Sequence, residues 1–461
     1  MSNSSSKITV AIIGNGVIGS VLALGLLRRN INVTVYEQAH SLRNIGAGIA
    51  FTANARKCLS LIHPRLEDCV TAVATVNGED PGNPNNNMQF VDGYTHDPVR
   101  HVEVNDEMEG RTVYRLHAGP RGFEGCHRAQ FLGRVMDIIP EGTVRFGKRL
   151  ESYTLVDEDE EGGGRDGGKI KLMFSDGDTA EADIVIGCDG IRSRVRQLLF
   201  GSDTPISQPH YTHKVAYRGL VPIDLASSRL GRYRALNQHM YGGPNAHVLH
   251  FPVARQKLMN VVAFVDDPED WPVDRSMTQP VSKDDVSGAF AKWGPTVRAI
   301  IDLLLVSEEM DKWAVFDMFD HPAPTYATGR VCIAGDAAHA SAPHHGAGAG
   351  IGVEDALALC VVLEQATEEI GAGRGRKVDV LGRALQRYSE VRLERSQWLV
   401  RSSREVCETY EWINPECRGD MEKGFQDVME RSHKIWYFDI EGMIRQLRGR
   451  FDLIPAQDSV L

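Results

Sequence analysis

Three glycine-rich turns, each at the end of an apolar run, contain the residues whose types and spacing could do chemistry. The first turn covers residues 14–19 and follows the apolar run 8–13. The other two are aspartate–glycine turns, at residues 189–190 and 335–336. In open parallel sheets, turns at the carboxyl ends of strands lie beside the ligand crevice. The three turns together therefore predict one shared crevice.

The first turn has the parts of a dinucleotide-binding motif. Gly14 permits the tight turn, Gly16 allows a pyrophosphate to approach the backbone, and Gly19 lets the helix pack on the strand. The helix that starts near Gly16 directs free N–H groups and its positive end at the phosphates. Glu37 closes the second apolar run, where a carboxylate accepts hydrogen bonds from the adenosine ribose. Two alternatives for residues 8–27 are a signal anchor, which four glycines oppose, and a packing turn without phosphate.

The two downstream turns extend this crevice. Asp336 is placed to accept hydrogen bonds from polyol hydroxyls. The glycine-rich segment 343–350 opens a helix whose N-terminus points at the same crevice and can stabilise negative charge on a ligand. Asp189 or Asp336 alone could be only a turn-former. Their joint occurrence with the first turn favours a binding role.

Composition limits the possible functions. The chain has 461 residues, which predicts two domains or one large composite fold. Its 42% hydrophobic and 25% charged residues are typical of a soluble enzyme. The net charge of −11, without a basic stripe, argues against a nucleic-acid partner. Eight cysteines without ligand spacing indicate a reducing cytosol, so a cytoplasmic protein without a membrane segment is expected.

The rest of the chain divides into a sheet region and a helical region. Three apolar segments between residues 211 and 264 predict an antiparallel sheet, inserted between two parts of the nucleotide domain. Residues 381–412 have a helical pattern with a charged face of mixed sign, typical of a solvated surface. Residues 413–461 are predicted to form a short helical tail. Three segments predict surface loops: 77–87, 157–168 and 371–377.

With these motifs, the chain resembles the single-component FAD-dependent aromatic hydroxylases, which are flavoprotein monooxygenases related to para-hydroxybenzoate and salicylate hydroxylase. The resemblance covers residues 8–410. It implies an α/β fold, in which a three-layer Rossmann-like FAD-binding domain carries an inserted antiparallel β-sheet substrate domain and a C-terminal helical region. The implied boundaries are 1–76, 108–200 and 325–370 for the FAD-binding domain, 77–107 and 201–324 for the sheet domain, and 371–461 for the helical region.

The resemblance also implies cofactors and the residues that bind them. FAD is bound tightly, NADPH (favoured over NADH) visits transiently, and O2 is a co-substrate. Arg128 matches a family arginine that reaches the cofactor, and Gly48 belongs to the loop beside the mobile isoalloxazine ring. No second Gly-x-Gly-x-x-Gly stands between an apolar strand run and a helical run, since the one at 162–167 lies in the predicted loop; this is expected for a family without a separate nicotinamide domain. The expected cofactor-binding residues are Gly14, Gly16, Gly19, Glu37, Gly48, Arg128, Asp189, Asp336, Pro343, Gly346 and Ala349.

Within this family, the chain is similar to fungal polyketide-pathway enzymes that hydroxylate and dearomatise resorcinol-type rings, as in tropolone, sorbicillinoid and azaphilone biosynthesis. Segments 45–55, 217–220 and 251–264 carry this likeness. The implied activity is oxygen transfer from a flavin C4a-hydroperoxide to a small-molecule phenol, with oxidative dearomatisation, by a monomer or weak homodimer. The alternatives are a salicylate-type hydroxylase that expels CO2, a flavin epoxidase or reductase, and a non-catalytic redox sensor.

Such a reaction requires a phenol to ionise, and a phenol with a pKa of about 10 does so at neutral pH only beside a fixed cation or donors. Arg218, on the predicted strand 215–221, is the candidate catalytic cation. Its alternative role is a structural ion pair on the sheet. Relatives bind the phenolate with a tyrosine, and the matching position here is Phe251, which cannot donate a hydrogen bond. The predicted replacement donor is Tyr114, and the further pocket candidates are Tyr241, His239 and His250.

Three histidines of the third turn, His339, His344 and His345, have the composition of a metal cluster. Their loop is expected to hold the flavin, and no carboxylate or thiolate completes a ligand set. No metal site is therefore predicted.

Overall fold

The structure is a computed structural model, and its secondary structure combines parallel and antiparallel sheets with long helices. Helices α1, α11 and α12 belong to the same hydrophobic core as the parallel sheet. The described residues are 7–42, 48–79, 87–94, 96–97, 102–103, 110, 112–118, 124–156, 168–272, 276–306 and 310–449. Residues 157–167 of the loop predicted at 157–168 and residues 80–86 of the loop predicted at 77–87 lie outside these ranges, as does Gly46 beside Gly48.

The strands and helices are numbered in chain order. The strands are β1 (Thr9–Ile13), β2 (Asn32–Glu37), β3 (Gly48–Ala50), β4 (Thr75–Val76), β5 (Asn87–Asp92), β6 (His96–Asp97), β7 (Val102–Glu103), β8 (Thr112–His117), β9 (Glu124–His127), β10 (Val144–Phe146), β11 (Leu150–Leu155), β12 (Ile170–Phe174), β13 (Thr179–Ala182), β14 (Ile184–Gly187), β15 (His210–Pro222), β16 (His239–Gly243), β17 (Ala246–Val253), β18 (Leu258–Asp266), β19 (Thr278–Pro280), β20 (Asp311–Asp317), β21 (Ala327–Thr328) and β22 (Val331–Ile333). The helices are α1 (Val17–Arg28), α2 (Ala53–Ile62), α3 (Pro64–Val73), α4 (Arg128–Met136), α5 (Arg194–Phe200), α6 (Ile223–Leu230), α7 (Arg232–Ala235), α8 (Lys283–Ala289), α9 (Pro295–Leu304), α10 (Asp336–His339), α11 (Gly348–Gly371), α12 (Lys377–Tyr410), α13 (Met421–Trp436) and α14 (Ile440–Leu447).

A six-stranded sheet carries the three turns. Its strand order is β10-β2-β1-β14-β22-β21, and all neighbours are parallel except the hairpin β21–β22. Strands β1 and β14 are apolar and almost wholly buried, as expected for the centre of a parallel sheet that is covered on both faces. A separate three-stranded sheet, β11-β12-β13, is antiparallel. These layers confirm the fold class that the sequence predicted.

A second, eight-stranded sheet has the order β19-β20-β15-β18-β17-β16-β5-β8. Its pairs are antiparallel except β16–β5, so the antiparallel sheet predicted from residues 211–264 is present. Strand β8, at 112–117, belongs to this sheet. The structure therefore groups it with the eight-stranded sheet, whereas the sequence had assigned it to segment 108–200.

The two faces of the large sheet have different neighbours. One face packs on α6, α8 and α9 in a core that includes Tyr241, Val248 and Val261. The other face packs on α12 and α13 through Met240, Phe90 and their neighbours. Because side chains alternate along a strand, consecutive residues of β16 and β17 serve different cores.

The C-terminal region consists of helices α12, α13 and α14. Helix α11 ends at Gly371 and α12 begins at Lys377, which agrees with the loop predicted at 371–377. Within the described residues, no helix combines the length and the apolarity that a membrane crossing requires.

A buried ion network joins α12 to α11. The Arg392 Nη1 atom lies 2.8 Å from a Glu354 oxygen, its Nε lies 2.8 Å from an Asp355 oxygen, and all three side chains are fully buried. The other Asp355 oxygen accepts hydrogen bonds from the Gly335 N–H and pairs with His339. Burial raises the pKa of Asp355, but the charges of His339 and Arg392 outweigh burial and bring this pKa to about 2.

We predict that Arg392→Met lowers the free energy of unfolding by about 3–5 kcal/mol, because two buried carboxylates each lose one charged partner, although Glu354 keeps Arg395 and Asp355 keeps His339. Urea unfolding measures this change. The matched control is Arg376→Met, since the exposed Arg376 pairs with an exposed Asp379. The control should cost less than about 1 kcal/mol. Equal costs for the two variants would contradict a structural role of the buried network.

Candidate active site

The first turn lines a large cavity at the carboxyl end of the parallel sheet. This cavity has a volume of about 1030 Å³, and Gly14, Gly16, Glu37 and Asp189 are among its lining residues. Gly14 has φ +100°, and a Cβ there would lie 2.5 Å from the carbonyl oxygen of Cys188. Only glycine therefore permits this turn beside the neighbouring strand.

Glu37 ends β2 and holds the first turn. Its two carboxylate oxygens accept hydrogen bonds of 2.8 Å from the N–H groups of Asn15 and Ala39. The carboxylate also lines the cavity, where it can face a ribose hydroxyl. The position that the sequence assigned to an adenosine ribose is therefore at the cavity wall.

Gly16 and Gly19 have different structural reasons to be glycine. A Cβ on Gly19 would lie 2.0 Å from the Gly14 oxygen, whereas the nearest heavy atom to a Cβ on Gly16 is an Arg128 nitrogen at 3.7 Å. Gly19 is therefore required for the close packing of α1 on the end of β1. Gly16 caps α1 and leaves open space in front of the helix N-terminus, where an anion can approach the backbone.

A second cavity, of about 480 Å³, adjoins the first. Both cavities are lined by Gly16, Arg128, Cys188 and Gly190, so they form one continuous groove. The other predicted cofactor residues in its lining are Gly48, Asp336, Pro343, Gly346 and Ala349. The groove has the donors, the acceptors and the glycine-cleared backbone that a dinucleotide with a flavin ring requires, so FAD fits these residues.

The two aspartates of the downstream turns differ. Asp336 is exposed and begins α10 at the cavity wall. Asp189 is held internally, since it accepts hydrogen bonds from Ser193 Oγ at 2.5 Å and from the backbone N–H of Arg194 at 2.7 Å. Burial raises the pKa of Asp189 although these hydrogen bonds oppose the shift. Asp189 therefore shapes the turn before α5 and lines the first cavity, whereas Asp336 lines the second.

Arg218 stands on the large-sheet face that closes the second cavity. Its guanidinium carbon lies 3.3 Å from the ring centroid of Trp313, which is a stacked cation–π contact. Burial lowers the pKa of Arg218 to about 10. No hydrogen bond or ion pair holds this guanidinium among the residues that the structure describes, so the structural ion pair considered for it finds no carboxylate there.

Three residues predicted for the pocket lie on the opposite face of the sheet, and this corrects the prediction. His239, Tyr241 and His250 are buried away from the second cavity, which is instead lined by their neighbours Met240 and Leu249. The Tyr241 hydroxyl lies 3.2 Å from His250 Nε2, and the rings of His239 and His250 stack at 5.0 Å. The alternation of side chains along β16 and β17 explains the error.

Phe251 lines the second cavity, and Tyr114 lies outside it. The Tyr114 ring stacks on Phe425 at 4.7 Å and lines a smaller cavity of about 30 Å³. The two cavities share Met240 and Tyr410, so they are neighbours. Tyr114 is on the face that carries Arg218, but five strands further along the sheet. The structure therefore does not bring the two predicted catalytic residues to one point.

The histidines of the third turn are separated from one another. His339 pairs with Asp355, and His345 Nε2 lies 3.0 Å from Ser402 Oγ. His344 instead approaches His247 and Cys407, with their ligand atoms within 4.8 Å of one another. The sequence had not predicted a thiol here. The Cys407 thiol donates to Glu411, and burial raises its pKa well above the usual value, so it is a neutral thiol in this cluster.

Comparisons with known proteins agree with FAD as the ligand of the groove. The family model described as FAD binding domain matches residues 7–403. FAD-dependent monooxygenase pigN of Monascus ruber is 49% identical over 440 residues, which are 95% of this chain and 96% of that protein. Salicylate hydroxylase asL1 of Sarocladium schorii is 45% identical over 454 residues, with 96% and 91% covered. A solved salicylate hydroxylase substrate complex is 29% identical, with a TM-score of 0.79 and coverage of 96% of this chain and 98% of that chain.

We predict that Gly16→Ala and Gly19→Ala separate cofactor binding from folding. Gly16→Ala should weaken FAD binding on the order of tenfold, because its methyl group enters the phosphate space, and should change the unfolding free energy by less than about 0.5 kcal/mol. Gly19→Ala should cost about 1–3 kcal/mol through overpacking. Flavin fluorescence titration and urea unfolding of the apoprotein measure the two effects. Equal stability of the two variants would contradict the packing role of Gly19.

We also predict that stability falls in mild acid. Burial lowers the pKa of His239 to about 4 and that of His345 to about 3, whereas both titrate near 6.5 in the unfolded chain. Below pH 6.5 the unfolded state thus binds more protons, and the unfolding free energy falls by up to about 1.4 kcal/mol per pH unit for each histidine. Urea unfolding between pH 7 and pH 5 measures this slope. His239→Phe should reduce the slope, and a flat profile would contradict neutral burial.

Proposed function

The chain belongs to the FAD binding domain family, its fungal relatives are FAD-dependent monooxygenases, and from this premise we propose that it hydroxylates a phenolic, resorcinol-type polyketide ring. The proposed reaction uses NADPH and O2 and removes the aromaticity of the ring. The observation that carries the proposal is Arg218, a half-buried cation that has no ion-pair partner in the described part of the chain and faces the mostly apolar second cavity of the groove.

FAD, when bound, supplies the redox chemistry that activates O2. Gly14, Gly16 and Glu37 would hold its adenosine end, and Asp336 would accept hydrogen bonds from its polyol chain. The second cavity, at the other end of the groove, would take the flavin ring and the substrate. The first turn thus positions the cofactor, and the large sheet presents the substrate.

Arg218 prepares the substrate for oxygen transfer. A phenol with a pKa of about 10 becomes a better nucleophile when it loses its proton, and a fixed guanidinium beside the oxygen stabilises the phenolate. Trp313 stacks on the guanidinium and restricts its orientation. The surrounding wall excludes water and so strengthens the attraction between guanidinium and phenolate. The apolar residues of this wall include Leu249, Phe251, Val262, Phe264, Ile435 and Trp436.

Tyr114 would act at the other end of an elongated substrate. Arg218, Val262, Leu249 and Met240 follow one row across the sheet, and β5 continues this row toward Tyr114. Five strand spacings of about 4.8 Å separate the two backbones along the sheet. Phe90 packs in the core between Met240 and Tyr114, so the phenol hydroxyl would contact only a substrate whose side chain reaches past Phe90.

The remaining parts of the proposal concern NADPH and the state of the protein. The sequence contains a single dinucleotide fingerprint, so we infer that NADPH visits the FAD groove transiently and has no domain of its own. We also propose a cytoplasmic location, because the described cysteines are all buried and free. The proposed monomer or weak homodimer rests on the family resemblance.

The second candidate is a decarboxylating hydroxylation of the salicylate type. Its support is the printed name of a relative that is 45% identical, salicylate hydroxylase. Arg218 could pair with a carboxylate as well as with a phenolate. The two reactions differ in the product mass, because only the salicylate-type reaction loses CO2.

Incubation of the holoenzyme with NADPH, labelled O2 and a panel of acyl-resorcinols tests the proposal. The expected product retains one heavy oxygen atom and all ring carbons, and circular dichroism detects the new stereocentre of a dearomatised ring. Loss of CO2 from a hydroxybenzoate with no turnover of the acyl-resorcinols would favour the second candidate. NADPH oxidation without oxygen incorporation into any phenol would refute both.

We predict that Arg218→Gln reduces product formation roughly 100-fold, because the phenolate loses its cation. Tyr114→Phe should reduce product formation less, and NADPH should still reduce the flavin in both variants. The control is Arg229→Gln, on the exposed side of α6. Product per NADPH consumed is the measurement. Unchanged product yield in Tyr114→Phe would remove Tyr114 from the site, and unchanged yield in Arg218→Gln would remove Arg218.

A further inference from the structure

We propose that Gln238 and Asn260 form a polar subsite of the second cavity that hydrogen-bonds a second oxygen of the substrate. The inference rests on the proposed function, because it assumes that Arg218 holds the phenolate. Phe251 cannot donate a hydrogen bond, and the proposal assigns this role to two residues beside it, Asn260 on β18 and Gln238 directly before β16.

The two amides flank Phe251 on the cavity face. Asn260 on β18 pairs with Phe251 on β17, and Gln238 directly precedes β16, whose His239 pairs with His250. Gln238, Phe251 and Asn260 therefore lie in one row across three adjacent strands. The backbones of the two amide residues are two strand spacings apart, or about 10 Å. All three residues line the second cavity.

Neither carboxamide has a hydrogen-bond partner among the described residues. Gln238 is 2% exposed and Asn260 is 7% exposed, so water satisfies little of either group. The Oε1 atom of Gln238 is fully buried and without a hydrogen-bond partner in the described part of the chain. Buried polar groups are nearly always hydrogen-bonded, and an exception at a cavity wall indicates a group that a ligand completes.

Phe251 provides an apolar floor between the amides and is fixed in place. A Cβ on Gly48 would lie 3.2 Å from the para carbon of this ring, and a Cβ on Gly125 would lie 2.9 Å from its edge. The ring therefore packs closely on β3 and β9. The para carbon faces Gly48 and the ring carries no polar atom, so we assign the polar function to the residues on either side of Phe251.

The position of Asn260 relative to Arg218 determines the class of substrate. Arg218 pairs with Val262, and Asn260 is two residues from Val262 on the same strand. Arg218 and Asn260 are thus diagonal neighbours, with backbones about 7–8 Å apart, which long side chains can bridge. A carboxamide offers both a donor and an acceptor, so it suits a carbonyl or a hydroxyl. The subsite therefore selects phenols with a second ring hydroxyl over phenols without one.

Ligand binding to the holoenzyme without NADPH tests the subsite. The probes are 2,4-dihydroxyacetophenone and 4-hydroxyacetophenone, which differ by one hydroxyl, and binding is followed by the change in the flavin absorption spectrum. The wild type should bind the dihydroxy probe roughly tenfold or more tightly than the monohydroxy probe. Asn260→Leu and Gln238→Met should each reduce this ratio, mainly by weakening the binding of the dihydroxy probe.

Gln89→Met is the matched control. Gln89 is a fully buried amide on the adjacent β5, but its side chain bonds Arg115 and it does not line the cavity. This variant should keep the wild-type ratio. If Asn260→Leu does not retain flavin, Asn260→Ser takes its place as a smaller polar-to-polar change that shortens the reach of the side chain.

The possible outcomes distinguish a failure of the subsite proposal from a failure of the proposed function. If the wild type binds both probes equally, or if the Gln238 and Asn260 variants keep the wild-type ratio, the subsite is wrong and the phenol hydroxylase proposal is unaffected. An equal loss in Gln89→Met would also overturn the subsite, because the effect would then be structural. Binding of neither phenol by the wild type would refute the proposed function, and the subsite with it.

Discussion

The pairing of Arg392 with two buried carboxylates is the interaction on which the site depends. Arg392 on α12 contacts Glu354 and Asp355 on α11, and Asp355 in turn accepts the Gly335 N–H. Arg392 thus fixes the positions of α12, α11 and the turn that carries Asp336 relative to one another. A buried ion is costly unless all its partners are in place. The geometry at this end of the groove is therefore tied to the correct docking of the C-terminal helices.

The cofactor side of the site could be predicted from the sequence because its signals are local. A buried strand, a glycine turn and a helix follow one another within residues 9–28, and the parallel order of β1, β14 and β22 brings the ends of all three turns to one edge. Glycine also has a direct steric signature, since no other residue fits at Gly14 or Gly19. What the sequence did not show on this side is the set of hydrogen bonds from Asp189 to the start of α5, because they depend on a turn geometry that residue types do not specify.

The substrate side was harder to predict because both faces of the large sheet are buried. All five residues of β16 are buried, so polar and apolar residues do not alternate and the facing of each side chain is not visible in the sequence. His239, Tyr241 and His250 were assigned to the pocket for this reason, although Met240 and Leu249 line it. The ion network was missed too, because Arg392 meets Asp355 across 37 positions. The pairing of β8 with β5 likewise depends on tertiary structure.

The tight packing of Phe251 on Gly48 and Gly125 has an evolutionary consequence. The three positions lie on three different strands, and the ring occupies the space that side chains at both glycines would need. We therefore expect substitutions at Phe251, Gly48 and Gly125 to depend on one another, because each changes the space available to the other two. Such coupling would divide related enzymes into groups that pack this wall differently. A design that exchanges substrate preference between such groups should therefore exchange the residues around Phe251 together.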